Sequence, residues 1–146
     1  MAAGAWTFTD ELRTKLVDGT FDLDTDTFKM ALFLSTSNLG TSSTTYAGLT
    51  NEHANANGYT TGGENITYNS TRSGGTITST AVDVVWTASG GNLGASTTGR
   101  YFPIYDDTPA APADPLICYY DYGATFTVAT GETMTVDFGA SFFTLA

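Results

Sequence analysis

From Ile66 to Leu145 the chain breaks into short apolar-rich runs separated by turn-forming residues, and that cadence restricts it to a β architecture. The runs are residues 65–68, 76–79, 81–87, 100–105, 115–122, 124–129, 132–138 and 142–145. In the third, Val82, Val84 and Trp86 fall on one face with Asp83 opposed to them, the period-2 signature of a half-buried strand. Met134, Val136 and Phe138 repeat the pattern. Ser73-Gly74-Gly75 and Thr130-Gly131 read as tight hairpin connections. Residues 27–34 add a run that is apolar on both faces after Lys29, as a central strand is. About nine strands at this spacing predict an all-β domain, a β-sandwich or jelly roll. Threonine is about a fifth of the chain and aromatic residues are 13%, which suits pleated sheets.

The one helical pattern comes first: Phe8, Leu12 and Leu16 recur four residues apart, Thr7 or Thr9 is placed to cap, Asp10 and Glu11 suit the positive end, and Gly19 is placed to stop it. Residues 1–19 are therefore expected to be a short N-terminal arm and helix. Residues 35–63 form a polar stretch too long to be an ordinary connection in a domain of 146 residues, and a functional or interaction loop, or a flexible arm, is expected there. No internal repeat is visible, which disfavours propellers and solenoids. One domain spanning residues 1–146 is the expectation for this length.

The formal net charge is −10, and the five basic residues Arg13, Lys15, Lys29, Arg72 and Arg100 are scattered. Such a chain cannot assemble the cationic stripe that neutralises phosphates, so neither nucleic acid nor an anionic membrane is an expected partner. A lone Cys118 forbids an internal disulfide, and residues 1–6 lack the cationic start and apolar stretch of a signal peptide, so synthesis in a reducing cytoplasm is expected.

Few residue constellations point to chemistry. Asp22, Asp24 and Asp26 resemble the opening of a calcium loop, but Thr27 stands where the turn wants Gly and Phe33 where a bidentate Glu would close the shell, so they are only a weak metal candidate. His53 is the one imidazole, in a polar stretch that reads as a surface loop; no Gly-x-Ser-x-Gly elbow accompanies it. One His and one Cys cannot build a zinc site, and no lysine-bearing glycine-rich phosphate loop occurs. The pairs Asp106-Asp107 and Asp83/Asp121 read as hairpin and strand positions more readily than as glycosidase carboxylates. The acceptor patterns at Asn65 and Asn69 would be met only in a secreted protein. No catalytic residue, cofactor or enzyme activity is expected. Tyr101, Tyr105, Tyr119, Tyr120 and Tyr122 concentrate in two neighbouring strands, where aromatics can stack on a sugar or pack across the sheet.

The succession of residues 15–32, then Gly58-Tyr59-Thr60 with Gly62-Gly63, Asp83-Val84-Val85-Trp86-Thr87, residues 100–107, Asp114-Pro115-Leu116-Ile117 leading to Tyr120-Asp121-Tyr122-Gly123, and Phe142-Phe143-Thr144-Leu145 resembles a family of small virion structural proteins of tailed bacteriophages. The resemblance runs through nearly the whole chain in order, and its motifs are packing and turn motifs. The spacer at residues 108–113 carries extra Pro and Ala relative to that pattern.

The resemblance implies a protein that folds without disulfides and then binds a repeating lattice through many weak copies. Its acidity places a capsid-bound form on the outer face, away from packaged DNA. The leading expectation is a capsid decoration or cement protein, with the major capsid protein or other virion proteins as partners and self-association on the particle. Ala5, Trp6 and Phe8, an aromatic start with no evident place in the sheet, and the loop residues Tyr46, Leu49 and His53 are the expected partner contacts. A tail-associated component and a carbohydrate-binding module using the tyrosines are the competing expectations.

Overall fold

The computed structural model describes residues 6–94 and 98–145. Within them the chain is all-β with one short helix. The strands are β1 (Thr7–Phe8), β2 (Phe28–Met30), β3 (Phe33–Leu34), β4 (Glu64–Ile66), β5 (Tyr68–Ser73), β6 (Thr76–Ala81), β7 (Val84–Thr87), β8 (Gly99–Asp106), β9 (Leu116–Phe126), β10 (Thr133–Val136) and β11 (Phe143–Leu145). The helix α1 (Asp10–Asp18) buries Leu12 and half-buries Leu16, one turn apart on one face. Thr9 occupies its N-cap in extended geometry, yet its hydroxyl does not cap; it donates to the Leu116 carbonyl at 2.8 Å and so ties the helix start to β9. Gly19 closes the helix in the left-handed conformation, its N–H on the Lys15 carbonyl. Phe8, expected on the helix, instead sits in β1, paired opposite Cys118 of β9.

The largest sheet runs β1-β9-β8-β2-β4, with β3 also on β8; β10 pairs with β7, and β11-β6-β5 make a third sheet. All pairings are antiparallel. The larger core cluster joins Phe28, Met30, Phe102, Ile104, Cys118 and Tyr120 of the big sheet to Val84, Trp86 and Val136 of the β7–β10 pair, with Tyr68 and Phe143 of the third sheet packed on its margin. Phe102 is the centre of an aromatic stack, with Trp86 at 5.8 Å and Phe126 at 5.6 Å between ring centroids. At Gly63 the backbone passes so close to the Met30 carbonyl that a Cβ would collide with it, and φ there is +78°; glycine is what lets β4 lie against β2.

Several expectations are corrected by pairing partners that lie far away in sequence. Thr130-Gly131 makes no β-hairpin, because β10 pairs with β7 across more than forty residues and β9 runs unbroken from Leu116 to Phe126. The expected strand over residues 81–87 is two elements: β6 ends at Ala81, and Val82 is 62% exposed while Val84 and Trp86 are buried. The run at residues 27–34 splits into β2 and β3, since Leu32 turns its carbonyl to the His53 N–H instead of continuing the ladder. Residues 35–63 are packed down rather than extended as an arm: a 3-10 turn at Tyr46–Gly48 and bridges Thr45↔Pro115 and Phe33↔Glu52 hold them on the sheet.

Candidate functional site

Strand alternation gives the big sheet two apolar faces. Phe102 and Ile104 point into the larger core, whereas Tyr105 joins Ala31, Phe33 and Leu116 on the opposite face, and Leu39, Tyr46 and Leu49 of the long loop cover that second cluster. Under this cover lies a network centred on Glu52. Tyr46 donates its hydroxyl to Glu52 Oε2 at 2.5 Å, Tyr59 donates to Oε1 at 2.6 Å, and the Gly62 N–H donates to Oε1 at 2.8 Å. The Tyr59 oxygen also accepts the Leu32 N–H, and the Tyr105 hydroxyl donates to the Gly62 carbonyl at 2.8 Å. Burial first, and then the Glu52 carboxylate, push the Tyr59 and Tyr46 phenols far above their ordinary range; burial and the nearby Asp107 do the same for Tyr105. Glu52 was missed as a functional candidate. The signal was present: it is the one carboxylate between Asp26 and Glu64, with a tyrosine on either side.

The structure brings together only part of the predicted contact set. Tyr46 and Leu49 both pack against the second cluster. His53, expected at the surface, is 2% exposed; its N–H bonds the Leu32 carbonyl, its Nδ1 lies 2.8 Å from the Ala54 carbonyl and therefore carries the hydrogen, and its ring meets Tyr59 edge-on. Trp6 and Phe8, expected as an exposed start, pack on the chain's own core: Trp6 stacks on Phe138 at 5.0 Å and meets Phe142 edge-on, and Phe8 meets Phe143 edge-on. Both are partly buried against the larger core cluster, and the pairing of β1 with β9 sets Phe8 opposite Cys118. Ala5 lies outside the described residues.

The five tyrosines are not one cluster. Tyr120 stacks on Phe102 in the larger core and Tyr122 packs on Phe126; Tyr105 is buried against Tyr46 on the other face. Tyr101 and Tyr119 stay together, edge-to-face at 6.5 Å, next to a bidentate ion pair in which Arg100 Nε and Nη2 donate to the two Asp121 oxygens. That pair raises the Arg100 guanidinium and lowers the Asp121 carboxyl. Opposite faces of successive residues in β9 explain the division.

Asp22, Asp24 and Asp26 do not converge on one point. Asp22 Oδ1 accepts the Asp24 N–H and Asp26 Oδ2 accepts the Asp22 N–H at 2.7 Å, so the carboxylates of Asp22 and Asp26 serve the turn, and the first of these bonds holds the Asp22 carboxyl below its ordinary value. Among the described residues no group of three or more His, Cys, Asp or Glu side chains is arranged to hold a metal ion. Beside this turn Asp106 is fully buried, with Oδ1 accepting the Thr108 N–H; burial and the neighbouring Asp26 carboxyl leave its acid pushed up to about 7. Lys29 reaches Asp107 at 2.7 Å across the same corner. Cys118 is buried, and burial pushes its thiol up.

The surface offers strand edges. Among the described residues, β4 ends the big sheet, β5 ends the third sheet, and β7 is paired on one side alone. In β5, residues from Thr71 to Ser73 are all exposed, and Ile77, Val82, Val85 and Leu145 are the strand-region hydrophobics left open to solvent. Among the described residues no helix is long and apolar enough to cross a membrane. The chain matches no protein-family model, no curated protein and no solved structure.

Proposed function

We propose that the protein is a structural component of a tailed-bacteriophage particle, a decoration or cement protein bound to the outer capsid surface across subunit joints. The observation that carries this reading is the contrast between a tightly tied interior and an open polar periphery. Glu52, His53, Asp106 and Cys118, the groups from which reactive sites are commonly built, are all engaged in or enclosed by the fold. The periphery instead presents unpaired strand edges and a Thr/Ser-rich hairpin, β5–β6, suited to backbone and hydroxyl contacts with a neighbour. The likeness of the sequence to small virion proteins supports the same reading, and a net charge of −10 favours the face away from DNA.

A protein that binds only the assembled shell stabilises it by linkage, without chemistry. Capsids assembled with and without this chain, challenged by heat and osmotic shock and imaged by cryo-electron microscopy, test the proposal. Density on the outer capsid surface with improved resistance is expected. Density confined to the tail would transfer the protein to the competing tail-associated reading, and absence from particles would end both.

A further inference from the structure

β4 and β7 border a surface groove of about 230 Å³, lined by Glu64, Asn65, Thr67, Asp83, Val84 and Val85 with Val82 at its end. The ladders show which peptide groups face it. Ala31 N–H bonds the Pro103 carbonyl and Asp107 N–H the Thr27 carbonyl, so Thr27, Lys29 and Ala31 direct their peptide groups to β8, and Phe28 and Met30 direct theirs to β4. Their partners there are Ile66 and Glu64, which leaves the N–H and C=O of Asn65 turned into the groove. On the other wall Ala88 N–H bonds the Glu132 carbonyl; by alternation Trp86 and Val84 face β10, and the N–H and C=O of Val85 turn into the same groove.

Two backbone hydrogen bonds tie the chain segments that carry the two walls. Val82 N–H bonds the Thr67 carbonyl at 2.9 Å, and Ser89 N–H bonds the Asn57 carbonyl at 3.1 Å. A whole strand cannot slide between walls tied in this way, and the volume falls below the roughly 300–1,000 Å³ of sites for drug-sized ligands. One long side chain entering from solvent fits the scale. Its charge follows from the lining: Glu64 and Asp83 are exposed acidic residues, no Lys or Arg among the described residues lines the groove, and the carbonyls of Asn65 and Val85 add further acceptors. Asp83 Oδ1 is occupied by the Phe138 N–H, which holds that carboxylate in place.

We propose that the groove between β4 and β7 is a socket for a lysine or arginine side chain presented by a partner protein. A donor-only cation can be met there by the carboxylates of Glu64 and Asp83 and by the carbonyls of Asn65 and Val85, which among the described residues have no backbone partner across the groove. The socket would serve a capsid subunit or any other partner with an exposed cation, so it stands apart from the virion reading.

The test uses the isotope-labelled protein and, as the probe, N-acetyl-arginine methylamide, with the uncharged citrulline analogue as its isosteric control. Saturable NMR shifts centred on the Asn65 and Val85 amides are expected with the arginine probe alone. Glu64→Gln and Asp83→Asn should each weaken them roughly two- to fivefold, the range for exposed ion pairs; Asn retains the acceptor for Phe138. Equal shifts with the citrulline analogue, or shifts no larger at Asn65 and Val85 than around the remote carboxylates Asp10 and Glu11, would overturn the proposal. So would millimolar calcium displacing the probe, because the groove would then be a metal site.

Discussion

Tyr59 gives its hydroxyl hydrogen to Glu52 Oε1 at 2.6 Å while its oxygen receives the Leu32 N–H at 3.0 Å, so one buried phenol links the long loop to the start of β3. Residues 35–63 owe their order to this link and to the Tyr46 hydroxyl on the other carboxylate oxygen. Replacing Glu52 by Ala leaves both hydroxyls and the Gly62 N–H without their acceptor. A loss of about 2–4 kcal/mol is expected, from unpaired buried donors, with Glu52→Gln costing less because one oxygen remains. Urea unfolding of the two variants checks this; equal stability of Glu52→Ala and wild type would remove the network from any role in holding the loop.

The same network predicts behaviour at high pH. Tyr46, Tyr59 and Tyr105 have folded values raised above the ordinary 10, so the folded state holds these protons more tightly than the unfolded chain does. Their contribution is complete below pH 10 and is lost as pH rises beyond it. Tyrosinate absorbance should therefore show phenols that ionise only with loss of the β circular-dichroism signal. A single smooth titration of all eight tyrosines with the fold intact would contradict the geometry.

Asp106 repeats that sign in the range between pH 4 and 7. Its acid is raised to about 7 by burial and by Asp26, so the folded state favours the protonated form; the contribution of this group is complete below about pH 4 and is lost as pH rises through about 7. Asp106→Asn keeps an oxygen for the Thr108 N–H and removes the buried charge. A gain of about 1–2 kcal/mol at pH 8 with none at pH 4 is expected, read from melting curves at the two values. A gain of equal size at both would show that charge is not the cause.

Trp6 distinguishes a packed start from a free one. With its ring against Phe138, Phe142 and Tyr120, Trp6→Ala should cost about 2–4 kcal/mol, and wild-type tryptophan fluorescence should be blue-shifted. An unchanged melting temperature would return this residue to the surface and to the list of partner contacts.

The alternation of apolar residues and the turn chemistry of this chain were enough to read an all-β protein with a helix stopped at Gly19, because both depend on neighbours a few residues apart. The positions of β8 and of β11 were legible for the same reason. The split of the tyrosines between two faces was implicit in the alternation along β9, but which face would be covered was not, since the cover comes from Tyr46 and Leu49 some seventy residues earlier.

What sequence alone fixed about this protein is its local grammar: strand runs, breaks, a lone thiol, an acidic surface. Tertiary structure alone decided that Thr130-Gly131 would not join paired strands, that His53 would be enclosed, that Trp6 would face inward, and that Asn65 and Val85 would leave peptide groups unpaired across one groove. The physical reason is that strand pairing is non-local. A residue's exposure in a sheet depends on which distant strand takes its hydrogen bonds and what then packs over it, and neither is written in the residues beside it.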